Sequence, residues 1–319
     1  MLRSLLIRLV SSVGVFLIIA IGLFGLVRLA PGDPADALVP IDAAPGIRDQ
    51  LVQQAREQLG LDKPLPVQFA LWFSSLIRGD LGYSFSTHQP VDQMLADRLG
   101  PTVLLMGSAL VVGLIIAIPA GVFSAVKRST AFDGVISSVS VVALAIPSFF
   151  LAMLGIYVFA VKLRVLPSAG MHFSGDDSIS DLVYHLILPV CVLALAVAAS
   201  FTRYVRSGML EQLGLDYIRA IVAKGATPFR ALMHALRNSL IPLVTVLALF
   251  IPAYLAGAVV VEQIFAWPGM GQMAVNALTV RDYPVITGFG LYVAVLVLVC
   301  NLLADILYTV VDPRVRTSR

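Results

Sequence analysis

Six long runs of uncharged, mostly apolar residues divide this chain. Each run has at least about 18 residues, which is the length that a helix needs to cross the hydrocarbon core of a membrane. The pattern therefore predicts six membrane-crossing helices. The runs are Leu9–Val27, Leu99–Val126, Gly134–Val161, Leu182–Thr202, Asn238–Val261 and Tyr283–Ala304.

The first apolar run could be mistaken for a secretion signal. Arg3 and Arg8 precede it, and Ala35-Asp36-Ala37 resembles a cleavage site. The run is longer than a usual signal core, so we interpret it as an uncleaved membrane anchor.

Composition supports a membrane protein. The chain is 59% hydrophobic and 13% charged, and its mean hydropathy is +0.92, far outside the range of soluble domains. Cys191 and Cys300 both fall inside apolar runs and share no zinc or redox spacing. We expect both to be buried, small apolar residues, and no disulfide is implied.

The distribution of lysine and arginine predicts the orientation. With a cytoplasmic N-terminus, the inner side holds thirteen of these residues and the short outer loops hold three, Lys162, Arg164 and Arg281. Cytoplasmic loops carry the excess of positive charge in most membrane proteins. Both termini are therefore predicted to lie inside.

A long charged segment, Ala30–Arg98, follows the first run. Its nine acids and five bases exclude it from the membrane. Helical patterns at Ile47–Leu59, closed by Gly60, and at Val67–Ile77 predict a small folded lobe outside the membrane, without an activity of its own.

Prolines and small residues recur inside the apolar runs. Each proline removes a backbone hydrogen bond and bends or interrupts its helix, which favours a bundle that rearranges. Glycines would let neighbouring helices approach closely. The prolines are Pro119, Pro147, Pro189, Pro242 and Pro252, and the glycines include Gly107, Gly113 and Gly155.

Arg203–Arg237 is the long polar interval of the second half of the chain. Connections in helical bundles usually have about two to eight residues, so this interval needs another explanation. Asp216 is a plausible N-cap, and Gly225 offers a C-terminal stop. Between them, Tyr217, Ile221 and Val222 share one helical face.

A second helix start, Thr227-Pro228, follows that stop. Its apolar stripe consists of Phe229, Leu232, Met233 and Leu236. The interval is thus predicted to form two short amphipathic helices hinged at Gly225. From the pattern alone, a helix pair in the lipid interface and a docking element for a soluble partner are equal alternatives.

Residues for catalysis are not evident. The four histidines, His88, His172, His185 and His234, are scattered without a metal spacing, and no glycine-rich ATP loop is present. Asp305 is the one ionisable residue close to the interior of a run. We expect neither catalytic residues nor a metal site, and a transport pathway without ionisable groups suits an energy source in another chain.

The polar interval contains a specific motif. Asp216-Tyr217-Ile218-Arg219-Ala220-Ile221-Val222-Ala223-Lys224-Gly225, followed by His234-Ala235-Leu236-Arg237-Asn238-Ser239-Leu240-Ile241-Pro242, closely resembles the cytoplasmic EAA loop of ATP-binding-cassette import permeases, in their dipeptide, oligopeptide and nickel subclass. Arg219 departs from the general motif, because many importers carry glutamate there.

Other segments resemble further marks of that subclass, and together they cover nearly the whole chain. They are Pro31-Gly32-Asp33-Pro34, Leu59-Gly60-Leu61-Asp62-Lys63-Pro64, Gly79-Asp80-Leu81-Gly82-Tyr83-Ser84, Glu262-Gln263-Ile264-Phe265-Ala266-Trp267-Pro268-Gly269-Met270-Gly271, Arg281-Asp282-Tyr283-Pro284 and Asp312-Pro313-Arg314.

The resemblance implies an all-α polytopic protein of the type I importer fold in the inner membrane, with six transmembrane helices and an extracytoplasmic lobe between the first two. It implies as partners a second, non-identical permease, two ATP-binding subunits and an extracytoplasmic solute-binding protein. ATP and magnesium would bind in the ATPase subunits, with no cofactor in this chain and no nucleic acid. Peptides are the commonest cargo of the subclass; nickel complexes and glutathione are the alternatives.

The resemblance also divides the chain and assigns its sites. Residues 1–29 would form the first span, 30–98 the lobe, 99–311 the permease core with a coupling loop at 203–242, and 312–319 a cytoplasmic tail. The residues that would contact the ATPase are Asp216, Tyr217, Ile218, Arg219, Ala220, Ile221, Ala223, Lys224, Gly225, Ala226, His234, Arg237 and Asn238. Those of an outer gate or binding-protein contact are Phe265, Trp267, Pro268, Gly269 and Gly271.

Two rival classes remain. A stand-alone secondary carrier would show internal repeats and buried ionisable residues, and neither is evident in the sequence. A membrane enzyme would need convergent nucleophiles and bases, which the scattered histidines disfavour.

Overall fold

The regular structure of this protein is helical. The computed structural model describes residues 2–29, 35, 39, 44–58, 60–176 and 178–311. Over these ranges it contains no strand, only an isolated bridge between Tyr83 and Pro90, and the predicted all-α class is confirmed. The motif at Pro31–Pro34, Leu59 and the tail 312–319 lie outside the described residues.

The helices are numbered in chain order. Their bounds are α1 Leu2–Leu29, α2 Pro45–Gln58, α3 Leu65–Ile77, α4 Val91–Val126, α5 Ala131–Ala145, α6 Ser148–Gly155, α7 Ile179–Leu213, α8 Asp216–Ala223, α9 Pro228–Ile264, α10 Met270–Thr279 and α11 Tyr283–Val311, with a π-helical segment, Ile156–Lys162, continuing α6.

Five of the described helices, α1, α4, α7, α9 and α11, are long and apolar enough to cross a membrane. The third predicted run is not a single helix. It forms α5 and α6, which meet at a bend of 96°, so it makes a sixth span only if the bent pair crosses as one. Pro147 explains the bend, because a residue before proline avoids helical angles, and Ile146 is extended at φ −85° and ψ 123°.

Several helices continue beyond the charge-free runs. α7 extends to Leu213, and α9 begins at Pro228 and runs unbroken into the predicted fifth span. The prediction of a separate short helix after Thr227 is therefore wrong. No glycine or proline lies between Phe229 and Ile241, so nothing in this stretch stops the helix.

The chain forms two compact units, which are residues 1–99 with 273–298, and 100–272 with 299–319. In the second unit, apolar residues of α4, α7 and α9 form the main core. Glycine permits close packing there, since a Cβ on Gly113 would lie 2.6 Å from Val197 Cβ, and one on Gly121 would lie 2.7 Å from Val205 Cβ. A Cβ built on Gly107 would meet no atom of the described residues within 4 Å, so this glycine makes no such contact with them.

The first unit holds α1, α2, α3 and the early part of α11. α2 and α3 confirm the two helical patterns predicted for the lobe, and Gly60 follows α2 at φ +63°. α11 lies close to its neighbours, because a Cβ on Gly288 would meet Val91 Cγ1 at 2.7 Å. The unit joins the lobe to membrane helices, so the boundary at 30–98 stays a prediction.

The cysteines differ in environment. Cys300 is buried, as expected, but Cys191 is exposed on α7, so its predicted burial is wrong. A membrane helix carries apolar side chains on its lipid side as well as its core side, and hydrophobicity alone does not distinguish the two.

Candidate functional site

α8 is the predicted coupling element. Leu215 occupies its N-cap position without a side-chain hydrogen bond, and Asp216 is the first helical residue, so the predicted cap at Asp216 is wrong. The Asp216 carboxylate still lies in the first turn, where negative charge is favoured. Its ion pair with Arg219, 3.3 Å between Nη1 and Oδ1, is solvent-exposed and contributes little to stability.

One face of α8 packs against other helices of the second unit. Ile218, only 8% exposed, joins a small apolar cluster with Val205, Met209 and Ala235. Tyr217 is half-buried and packs against this cluster. Ile221 is also half-buried, whereas Val222 is 51% exposed. The predicted buried face was therefore wrong at Val222, and its central residue is Ile218.

Tyr217 connects three helices through its hydroxyl group. The hydroxyl donates to Gln212 Oε1 at 2.8 Å and accepts from Asn238 Nδ2 at 3.1 Å. Gln212 lies near the end of α7 and Asn238 lies in α9. The start of α8 is thus bonded to both α7 and α9. Asn238, one of the residues predicted to contact the ATPase, is half-buried and donates this bond to Tyr217.

The turn after α8 agrees with the sequence signals. Gly225 adopts φ +86°, a conformation that favours glycine, and Ala226 N–H donates to the Ile221 carbonyl at 3.2 Å. Thr227 then caps α9 by accepting from Arg230 N–H at 3.4 Å, with Pro228 at the first turn. The predicted stop and start are both confirmed.

The opposite side of α8 faces outward. Its exposed side chains combine two cations and one carboxylate with small and apolar groups. Two further predicted residues, on α9, are also exposed. The exposed predicted residues are Asp216, Arg219, Ala220, Ala223, Lys224, Gly225, His234 and Arg237; Ala226 is half-buried.

Arg206, one of the basic residues of this interval, has an internal role. Its Nε donates to Asp133 Oδ1 at 2.7 Å and its Nη2 donates to Oδ2 at 2.8 Å. Ser124 Oγ and Ser129 N–H also donate to this carboxylate, at 2.5 Å and 3.0 Å. The pair fixes α7 to the first turn of α5.

The segment after α9 was predicted as an outer gate or contact. Trp267 is fully buried, and its Nε1 donates to the Pro101 carbonyl at 2.9 Å. Phe265 is 2% exposed, and its carbonyl accepts from Gly170 N–H at 2.8 Å. Pro268 is half-buried, and Gly269 and Gly271 are buried. This loop packs inward, and the gate or contact assignment stays a prediction.

Glu262 organises that loop. It is fully buried, with Oε1 accepting from Thr102 Oγ1 at 2.7 Å and Oε2 accepting from Gly271 and Gln272 N–H at 2.7 and 3.1 Å. A Cβ on Gly269 would overlap the Glu262 carboxyl group. The sequence indicated the motif but not this role, because no local pattern reveals that Thr102 lies opposite Glu262.

Two histidines that seemed scattered converge on one acid. Nδ1 of His172 lies 3.1 Å from Asp181 Oδ2, and Nδ1 of His185 lies 3.2 Å from Oδ1. Their spacing in the sequence did not indicate that this pair shares an acid. In the part of the chain that the structure describes, no group of three histidine, cysteine or acidic residues is arranged to hold a metal ion.

Asp282 joins two of the sequence motifs. It is 1% exposed and accepts from Ser84 Oγ at 2.5 Å, Ser86 Oγ at 2.7 Å, Phe85 N–H at 3.1 Å and Ser86 N–H at 3.2 Å. Burial alone would raise the pKa of Asp282. The four hydrogen bonds together lower it by more than burial raises it, so the pKa lies below its ordinary value. The ionised form therefore holds the 84–86 turn to the start of α11.

Comparison with known protein families shows which family this chain belongs to. Residues 117–317 match the binding-protein-dependent transport system inner membrane component, and residues 1–106 match the N-terminal part of such components. The chain belongs to this family. It is a permease component of an inner-membrane transport system, as the EAA-type motif predicted, and the orientation of its termini stays a prediction.

Two named relatives are similar in sequence to this permease over nearly the full length of each chain. The permease is 41% identical over 321 residues to a protein of Brucella suis biovar 1 named as a peptide permease, with 100% of both chains covered. It is also 41% identical over 311 residues to the oligopeptide transport system permease protein AppB of Bacillus subtilis, with 97% of each chain covered.

A solved structure shares the fold. The MetNI methionine ABC transporter in an inward-facing conformation matches with a TM-score of 0.53 and 19% identity, covering 69% of this permease and 97% of that chain. The predicted importer fold is confirmed at this level.

Proposed function

We propose that this permease forms, with a second and non-identical permease, the translocation path of an ATP-driven importer for di- or oligopeptides. A solute-binding protein outside would deliver the peptide. The full-length identity to proteins named for peptide and oligopeptide transport supports the choice of cargo. Two ATPase subunits would bind ATP and magnesium, and this chain would bind no cofactor.

The geometry of α8 carries the proposal. A short helix that buries one face on its own chain and exposes the other offers a preformed contact for a partner. The exposed face includes Arg219, Ala223 and Lys224, while Ile218 and Tyr217 fix the opposite side. Closure of the ATPases would displace α8, and the displacement would reach α7 and α9 through Tyr217. In this proposal, α8 and both termini lie in the cytoplasm.

The substitution Ala223→Glu tests this assignment. Ala223 is exposed, so the folded chain tolerates the larger side chain, but an interface would have to bury an unpaired charge. We expect ATPase stimulation by a dialanine-loaded cognate binding protein to fall by about tenfold or more. The measurement is phosphate release by the reconstituted importer.

Ala96→Glu is the matched control, since Ala96 is also an exposed helical alanine but lies in the first unit. Normal stimulation of the Ala223→Glu importer would exclude α8 as the coupling element. Stimulation of the wild type by a nickel-loaded or glutathione-loaded binding protein, without a response to dialanine, would overturn the peptide assignment and leave α8 unaffected.

A further inference from the structure

The helix α3 carries apolar residues on its outward side. Its polar residues, Gln68, Ser74 and Ser75, are buried or half-buried, and no residue of the helix is charged. A helix that faces water shows the reverse arrangement, with polar residues outward and apolar residues inward. All the exposed residues of α3 are apolar, and they are Leu65, Pro66, Val67, Ala70, Leu71 and Ile77.

Three of these residues share one stripe of the helix surface. Val67, Ala70 and Ile77 lie within about 80° of one another around the helix axis, because each residue turns the helix by about 100°. Val67 is 44% exposed and Ile77 is 72% exposed. Ser74 falls within the same stripe, but it is half-buried and its hydroxyl donates to the Leu71 carbonyl at 2.8 Å. Val67, Ala70, Ser74 and Ile77 form the outer stripe of α3.

The helix α2, in the same unit, has the arrangement expected in water. Most of its exposed residues are polar or charged, among them Asp49, Gln53, Arg56 and Glu57, and Ala55 is buried. The outward apolar residues are therefore a property of α3 and not of the lobe as a whole.

Contacts with α1 place α3 at the depth of the membrane boundary. The Phe24 ring lies 5.4 Å from the Phe69 ring and 5.6 Å from the Trp72 ring, measured between centroids. Phe24 precedes Leu29, the last residue of the apolar span, by five positions, which is about 7.5 Å along the helix axis. Helices in a membrane interface bury their apolar face about 5–10 Å into the boundary between headgroups and acyl chains.

The surroundings of α3 match a lipid boundary. At the same end of α1, Leu26 and Leu29 are 67% and 84% exposed, so the apolar surface continues from one helix to the other. Lys63 lies just before α3 and Arg78 directly after it, where their charges can reach the headgroups. A soluble partner that dissociates matches less well, because interfaces of that kind are about as polar as the rest of the protein surface.

We propose that α3 is an interfacial helix whose outer stripe contacts the acyl chains of the leaflet at which α1 ends. With 13 residues, α3 is too short to cross the membrane, so it lies along the surface. It holds the lobe to the membrane while α2 faces water. The proposal depends neither on the cargo of the importer nor on the role of α8.

Collisions of a spin label with two reagents test the proposal. Ala70→Cys is prepared together with Cys191→Ser, because Cys191 is exposed and would also react with the label. The full-length chain is labelled with a nitroxide, assembled with the other membrane and ATPase subunits of its importer, and reconstituted in vesicles of phosphatidylethanolamine and phosphatidylglycerol. Oxygen dissolves among acyl chains, whereas a neutral nickel chelate stays in water. Electron paramagnetic resonance measures the collision rate of the label with each reagent.

We expect the ratio of oxygen collisions to nickel-chelate collisions to be at least about tenfold higher at Ala70→Cys than at Gln53→Cys. Gln53 is the matched control, since it is an exposed helical residue of α2. Ile77→Cys, on the same stripe, should give the result of Ala70→Cys and provides a second position if one variant fails to assemble.

Equal ratios at the stripe and at Gln53→Cys would show that α3 faces water and would overturn the proposal. Exclusion of both reagents from the stripe would show that another subunit covers it, which would overturn the lipid assignment as well.

Discussion

Single buried carboxylates hold the loops of this permease to its helices. Glu262 and Asp282 both accept hydrogen bonds from hydroxyl groups and backbone N–H groups at loop positions. A carboxylate has about four acceptor sites and can therefore satisfy several donors that a turn leaves unpaired. At both sites, the side chain caps a loop, and the loop after Glu262 is the one predicted as an outer gate or binding-protein contact.

Replacing Glu262 by glutamine should destabilise the second unit. The amide N–H₂ group cannot accept a hydrogen bond, so Gly271 and Gln272 N–H or the Thr102 hydroxyl would lose an acceptor while buried. Each such loss costs about 1–3 kcal/mol. Thermal unfolding of the purified protein measures the effect, with exposed Glu211→Gln as the control. Equal midpoints for the two variants would contradict the role of Glu262.

Acid should loosen the 84–86 turn. Because the folded pKa of Asp282 is lowered, its stabilisation is complete above the ordinary value of about 3.9 and is lost as the pH falls through the lower folded value. The protection of the Phe85 and Ser86 N–H groups from hydrogen exchange, relative to an unstructured chain at the same pH, should therefore fall at the most acidic pH. Asp282→Asn should exchange fast already at pH 7, and exposed Asp97→Asn should behave as the wild type.

At the scale of elements, α8 and its following turn were predicted well because their signals are local. Gly225, Thr227 and Pro228 each restrict the backbone within a few residues. The length of α9 was not predicted, since the change from polar to apolar residues at Asn238 was taken for a helix boundary. The bend at Ile146 was not predicted either. There the apolar run continues without interruption, so the pattern gave no sign that the helix ends.

Gly225→Ala should separate backbone strain from side-chain contact. Gly225 has φ +86° and no atom within 4 Å of a built Cβ, so the cost is the left-handed conformation alone, about 1–2 kcal/mol. We expect a lower unfolding midpoint and weaker ATPase stimulation. Gly134→Ala is the control, because Gly134 also has open space but lies in a helix, where alanine is favoured. Equal stability of the two variants would contradict the strain argument.

At the scale of the whole molecule, hydrophobic runs and family motifs predicted the protein class, the fold and the position of α8. They did not predict which distant residues meet. Asp282 and Ser84 are 198 positions apart. His172 contacts Asp181, in the first turn of α7, from the loop that precedes this helix. Periodicity reports which face of a helix is apolar, but it holds no information on the partner across a loop.

The Tyr217 hydroxyl links α8 to two spans. The same oxygen is bonded to Gln212 of α7 and to Asn238 of α9, so a displacement of α8 would act on both spans and not on one alone. Substitution of either amide residue removes one of these links, whereas Tyr217→Phe removes both at once.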